Sequence, residues 1–498
     1  MIILDGNNCT LEQFIAVVRE HELVELSDEG KRKVLLSRKF IDEVIESEKP
    51  VYGINTGFGK LSDVTINKCD TSKLQKNLLM SHACGVGEPY SLEVVRGMML
   101  LRINALVKGY SGIRLITLEK LIELLNNNVI PVVFEKGSLG ASGDLAPLSH
   151  MSLPLIGLGE VFYNGKRMSA LEGLKEAGIA PLESLEAKEG LCLINGTQAM
   201  TSVGALTLYD SYQLMDVSAI ALAMTMEALN AITDAFDERI HLLRGHKGQI
   251  EFSRKVVNLL KDSHLTTKQG EMRIQDAYSI RCAPQVSGAI IDTLEFVRNT
   301  IETEMNAVTD NPIVFAESEE AISAGNFHGE PLAFALDYLG IALSEMANIA
   351  ERRIERMVNP SLSNGLPPFL VAKPGINSGF MIVQYSAASL VSENKVLSHP
   401  ASVDSIPSSA NQEDHVSMGS ISARKAGMIL DNVRKVIAME LFASAQAIDF
   451  RGKSKMSTAT QKTYFIIRKY IPFIENDEIM YPHIHKLEDL IKTNQFNK

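Results

Sequence analysis

Tryptophan is absent from the 498 residues, and all aromatics together make up 6% of the chain. Proteins that read nucleic acid by stacking bases on aromatic rings depend on such side chains, so this class is disfavoured. Positive charge is also short. Lys and Arg number 49 against 60 Asp and Glu, a net charge of −11, which argues against general binding to nucleic acid or to an anionic membrane surface. Cysteine is sparse and odd in number: Cys9, Cys69, Cys84, Cys192 and Cys282, with no CxxC pair among them. That speaks against a disulfide framework and for a reducing compartment. The opening residues MIILDGNNCT carry neither the basic segment nor the apolar core of a secretory signal. The most notable uncharged run, Gly190 to Tyr209, is interrupted by Asn195, Thr197, Gln198, Thr201 and Ser202, which suits a buried segment better than a membrane span. A soluble, cytoplasmic protein is expected.

Apolar residues make up 45% of the chain and charged residues 22%, ordinary globular usage with ample material for a large core. Helical periodicity dominates. A helix is expected over 91–108, with Ser91 as N-cap and Gly109 just past its end. Others are expected over 117–128, stopped before Pro131, over 198 to about 235, over 333–357 and over 420–447. The long segment from Gln198 is apolar on most sides, as in a bundle centre or a subunit interface. Strands are scarce, with short ones expected near 131–134 and 160–168. No Ser/Gly/Pro-rich linker and no fixed-period repeat divides the chain. Polar loops rich in Gly, Asn and Ser interrupt the helices at 52–60, 81–88, 137–144, 194–198, 323–330 and 405–419, and loops on a rigid scaffold are where chemistry concentrates.

Residues 137–150 read GSLGASGDLAPLSH. Within them, Ala141-Ser142-Gly143 is a chemical object in its own right. Lacking a Cβ, Gly143 lets its backbone nitrogen approach the carbonyl carbon of Ala141. Attack there closes a five-membered ring with loss of the Ala141 carbonyl oxygen as one water, and loss of the Ser142 hydroxyl as a second leaves an exocyclic methylidene, an electrophile made from the chain itself. Ala-Ser-Gly alone says little, because it turns up by chance in roughly one protein in five of this length. The full segment says more, and six others accompany it: YGINTGFG at 52–59, SHACGVG at 81–87, INGTQ at 194–198, QDAYSIRC at 275–282, GNFHGE at 325–330 and SIPSSANQEDHVSMG at 405–419.

On these seven segments, which occur in family order, the chain resembles the aromatic amino acid ammonia-lyases from about residue 3 to 450, with a weaker hold on the tail. The resemblance implies a mainly α fold: an elongated central helical bundle, of the kind found in fumarase- and aspartase-like lyases, with a smaller N-terminal domain carrying the prosthetic-group loop. Residues 1–200 are expected to form that N-terminal domain, and residues 201–498 the long-helix bundle and C-terminal helical region. It implies a 4-methylidene-imidazol-5-one formed autocatalytically from Ala141, Ser142 and Gly143, and non-oxidative loss of ammonia from an amino acid. It also implies a homotetramer whose active sites collect residues from several subunits.

The residues make chemical sense of that implication. An amine leaves poorly and a β-proton is weakly acidic, so the reaction needs an electrophile and a positioned base. The chain offers no convincing phosphate cradle for pyridoxal phosphate. His82-x-Cys84 and His483-x-His485 are short pairs without obvious further ligands, so no metal is expected. By resemblance, Tyr52 is the base; a phenol titrates near about 10 and needs local positive potential to act at neutral pH. Asn195 contacts the prosthetic group or the bound amine, Phe327 packs near the ring, and Asp144 assists cyclisation. Arg281 grips the substrate carboxylate with its planar fork. Gln275, Tyr278 and Arg281 follow one another at three-residue spacing and on a helix would share a face. His82 and Glu413 offer polar, titratable contacts to an imidazole, which is costly to bury unpaired. Phenylalanine- and tyrosine-specific relatives typically carry Gln at the position of Glu413, and a pair ending in Leu where Ser81-His82-Ala83 stands. Both differences favour L-histidine as substrate and trans-urocanate as product, the first step of histidine breakdown. Two alternatives stay open at this point: another lyase or an aminomutase of the same family, and a helical scaffold that kept the fold without the chemistry.

Overall fold

A computed structural model describes residues 1–47, 51–57, 66–67 and 70–497. Among them are eighteen α-helices and nine short strands, the strands grouped in four small sheets of two or three. The chain forms two compact units. The first comprises Met1–Leu206, Arg298–Asp337 and Pro400–Arg424; the second comprises Thr207–Val297, Tyr338–His399 and Lys425–Lys498. Both units are therefore assembled from segments far apart in sequence.

The expected helices form, and their ends have local causes. Helix Leu92–Leu106 starts at Ser91, whose Oγ accepts the Val94 amide at 3.4 Å. Its C-cap is Val107, so Gly109 lies two residues beyond the cap, at φ +78°. Helix Leu115–Asn126 ends before Pro131 is reached: Asn128 turns left-handed at φ +56° and the Val129 amide returns to the Leu124 carbonyl. Helix Gln198–Ala228 stops about seven residues short of the expected end at 235. Asn230 takes φ +50°, and the Ala231 amide closes on the Met226 carbonyl. Helices Glu330–Val358 and Gly419–Arg451 also form. By length and composition Glu330–Val358 could cross a bilayer, but 67% of its most apolar window is buried within the protein.

In the first unit, helix Leu92–Leu106 is buried along nearly its whole length. Two arginines interrupt its apolar run, and both are fully spoken for. Arg96 donates to the Val17 and Leu125 carbonyls and to Asn128 Oδ1. Arg102 donates to the Cys192 and Thr309 carbonyls and to Gln198 Oε1. Burial lowers both guanidinium pKa values, that of Arg96 to about 10. In the second unit, Arg353 forms a buried two-point pair with Glu440, which also accepts from Thr225.

Candidate active site

The Ala141-Ser142-Gly143 loop is held from both sides by backbone. The Asp144 amide donates to the Gly196 carbonyl at 2.7 Å, and Gly143 and Gly196 form an isolated parallel bridge. On the other side, the Met418 amide donates to the Leu139 carbonyl at 3.0 Å, and Ser417 Oγ donates to the Gly140 carbonyl at 3.3 Å. Gly143 sits at φ +75°, and a Cβ there would lie 2.2 Å from the Gly196 oxygen. Only glycine fits both constraints. The segments 137–144, 194–198 and 405–419, far apart in sequence, thus meet around Ser142.

Asp144 is the anchor beneath the loop. It occupies the N-cap position of helix Leu145–Ser152, yet its side chain does not cap that helix. Its Oδ2 accepts the Met200 amide at 2.8 Å, capping helix Gln198–Ala228 instead. Its Oδ1 accepts from Ser420 Oγ at 2.5 Å and from Ser138 Oγ at 3.1 Å. Complete burial raises the Asp144 pKa, and these hydrogen bonds oppose the rise. The first turns of three helices, those beginning at Leu145, Gln198 and Gly419, therefore gather at one carboxyl. The helix beginning at Glu330 joins them through Gly329, whose Cα faces Met200 and Ser417. Each N-terminus carries partial positive charge, so the loop lies in a field that favours negative charge.

Of the expected residues in the first unit, Glu413 touches the triad directly. Ser142 Oγ donates to Glu413 Oε1 at 3.0 Å. His82, last residue of helix Thr71–His82, is half-buried and bonds through Nδ1 to Ser81 Oγ at 3.0 Å. Burial lowers its pKa, while the Leu78 backbone and the Glu413 charge push the other way. Asn195 terminates helix Glu189–Ile194; it is buried, and its Oδ1 has no hydrogen-bond partner. A buried amide oxygen left free is costly and is available to a group that donates. Tyr52 lies in a turn whose Gly53, at φ +70°, packs on Leu191 of that same helix. Phe58 and Gly59 of the 52–59 segment, and Cys69, lie outside the described residues. Phe327 is half-buried, two residues before Gly329.

Gln275, Tyr278 and Arg281 belong to the second unit. They do not share a helical face. The helix spans only Tyr278–Arg281, and Gln275 precedes it, because Ala277 is extended at φ −65°, ψ 161°. Asp276 is turned away to accept the Ile232 amide and pair with Arg273. Arg281 donates to the Asp276 carbonyl, and its guanidinium lies 4.3 Å from the centre of the Tyr278 ring.

Sequence reasoning passed over Ser138, Ser417, Ser420, Glu304 and Arg102. Ser417 stands within one of the seven segments and Ser420 just after it, but nothing local marks them as partners of residues near 140. Glu304 accepts from Thr197 Oγ1 at 2.5 Å, next to Asn195-Gly196, and desolvation raises its pKa. Arg102 bonds both sides of the same turn, at Cys192 and Gln198. Its only sequence signal is a charge inside a largely apolar helix.

The residues present fit a ring built from the triad: a left-handed glycine without room for a Cβ, a serine hydroxyl beside a carboxylate, and a free buried amide oxygen on the adjoining turn. Comparison with known proteins agrees. The chain matches the family model described as aromatic amino acid lyase over residues 9–469. It is 58% identical over 490 residues to a histidine ammonia-lyase of Alkaliphilus oremlandii, covering 98% of this chain and 96% of that one. The crystal structure of histidine ammonia-lyase from Trypanosoma cruzi superposes with a TM-score of 0.92 at 42% identity, covering 99% of this chain and 94% of that one. The tyrosine aminomutase of Streptomyces globisporus superposes with a TM-score of 0.96 at 38% identity, covering 100% of this chain and 97% of that one. The fold is shared across substrates, while the identity is higher toward the histidine enzymes.

Proposed function

This chain belongs to the aromatic amino acid lyase family, and from that premise we propose that it removes ammonia from L-histidine to give trans-urocanate, as a carbon-nitrogen lyase. The observation that carries the reading is the 3.0 Å contact from Ser142 to Glu413, which puts a carboxylate beside the triad, and the Glu413 charge also acts on His82. An imidazole substrate has two ring nitrogens to satisfy, and this pair answers them.

Closed into a methylidene-imidazolone, Ala141-Ser142-Gly143 supplies the electrophile that no side chain offers. The other roles fall to side chains of this protein. Tyr52 takes the β-proton, helped by the positive ends of the helices that start near the loop. The free Oδ1 of Asn195 accepts a hydrogen bond from the bound amine. Tyr278 contributes its hydroxyl and Gln275 its amide to the bound amino acid, and Phe327 packs against the ring. Arg281 holds the carboxylate. Asp144 keeps the loop bent for cyclisation. No pyridoxal phosphate is needed for this chemistry. The working form is a homotetramer, in keeping with the long apolar helices, and the site of action is the cytoplasm, in keeping with four described cysteines that are all free thiols.

Ultraviolet-monitored turnover tests the reading. Growth of a conjugated urocanate band with L-histidine, and not with L-tyrosine or L-phenylalanine, is the expected result. Intact mass should fall two waters short of the calculated chain, and Ser142→Ala should abolish both turnover and the deficit. Faster turnover of L-tyrosine or L-phenylalanine would favour another lyase or an aminomutase, and a full-length mass with no turnover would favour a scaffold.

A further inference from the structure

The first unit also brings together three side chains of metal-ligating type, His328, Glu330 and His415, the two histidines being 87 residues apart in the chain. The histidine rings stack, with centroids 5.5 Å apart and planes inclined by 26°. Nδ1 of His415 faces Nε2 of His328 at 3.5 Å. Nδ1 of His328 lies 4.0 Å from Oε2 of Glu330. One ligand atom from each of the three residues lies within 4.8 Å of the others. Oε2 of Glu330 is shut off from solvent and has no hydrogen-bond partner.

The approach of the two histidines suits an ion better than a hydrogen bond, and Glu330 offers a ligand atom within 4.8 Å of both. A separation of 3.5 Å is long for N–H···N. Two nitrogens bound to one tetrahedral zinc at about 2.0–2.1 Å stand about 3.3–3.4 Å apart, so little movement is required. A buried carboxylate oxygen without a donor is costly, and a cation relieves that cost. We propose that His328, Glu330 and His415 form a three-ligand site for a borderline divalent transition-metal ion such as Zn²⁺, with a remaining position open to water. Two imidazoles and a carboxylate favour Zn²⁺, Co²⁺ or Ni²⁺ over Mg²⁺ and Ca²⁺, which take oxygen ligands. His415 is exposed, so the ion enters without opening the fold. His328 follows Phe327 directly and His415 follows Glu413 by two residues, so a bound ion ties together the two loops that carry those side chains. The site goes beyond the lyase reading and does not depend on it.

The test is Co²⁺ titration of the chelator-stripped, full-length protein, read by visible ligand-field absorption and equilibrium dialysis. One ion per chain is expected, displaced by Zn²⁺ and not by Mg²⁺. His415→Ala and Glu330→Gln should each weaken binding at least tenfold while circular dichroism stays as in the parent. Cys84→Ser, the control for adventitious binding at an exposed thiol, should bind as the parent does. No ion retained, displacement by Mg²⁺, parent-like binding by His415→Ala, or loss of binding in Cys84→Ser would each overturn the proposal.

Discussion

Gly143 satisfies two demands that no other residue meets at its position: a left-handed backbone, and a 2.2 Å gap between a would-be Cβ and the Gly196 oxygen. A non-glycine residue held left-handed costs about 1–3 kcal/mol, and the obstacle here is backbone that cannot rotate aside. Gly143→Ala is therefore expected to lose the two-water mass deficit and at least a hundredfold in turnover; a parent-like mass with parent-like activity would show that the tight approach is dispensable. His82 permits a second test. Burial lowers its pKa below the ordinary 6.5, and the Glu413 charge is one of two influences opposing that. Removing the charge in Glu413→Gln should move the His82 titration midpoint further down, as read by proton NMR, and a midpoint that rises would refute this account. At this scale the triad was legible, because its chemistry is local. The unpartnered oxygen of Asn195 was not, since lacking a donor is a property of the surroundings.

Among the elements, most helices were readable from periodicity, and their ends were readable only in part. The early stop at Ala228 depends on one left-handed asparagine, which sequence tolerates in many places. Gln275 lies outside the helix of Tyr278 and Arg281, where Asp276 is held by Ile232, distant in the chain, and by neighbouring Arg273. Asp144 stands at the N-cap position of its own helix and caps another. Asp144→Ala should strip the Met200 amide of its acceptor and cost about 1–3 kcal/mol in chemical denaturation. Glu227 provides a test of pH. It is buried, accepts from Ser263, Ser457 and Thr460, and burial raises its pKa above the ordinary 4.5. Its protonated form is favoured in the folded state, so the stability it adds is complete below 4.5 and lost as pH rises through the folded midpoint. Relative to the parent, Glu227→Gln should gain stability as pH rises from 4.5 toward neutrality; a difference that stays constant or reverses would rule out the raised pKa.

For the molecule as a whole, the proposed site residues fall into two groups. Tyr52, His82, the triad, Asp144, Asn195, Phe327 and Glu413 belong to the first unit, and Gln275, Tyr278 and Arg281 to the second. A tetramer with shared active sites makes a direct prediction. Tyr52→Phe and Arg281→Met are each expected to be inactive. Mixing the two, denatured together and refolded, should restore a fraction of parental turnover, because some sites then draw both intact residues from different subunits. Light scattering should give a four-chain mass, and isolated monomers should be inactive; active monomers would end the shared-site reading.

The sequence by itself determined the helical class, the self-made electrophile and the family, because periodicity, a tripeptide's ring chemistry and short ordered motifs are all written in neighbouring residues. Tertiary structure alone decided which carboxyl anchors which helix, that Ser142 meets Glu413, and that His328 faces His415. Those pairings join residues tens to hundreds apart, and the choice among possible partners is made by burial, which leaves each polar group only the partners that packing brings within reach.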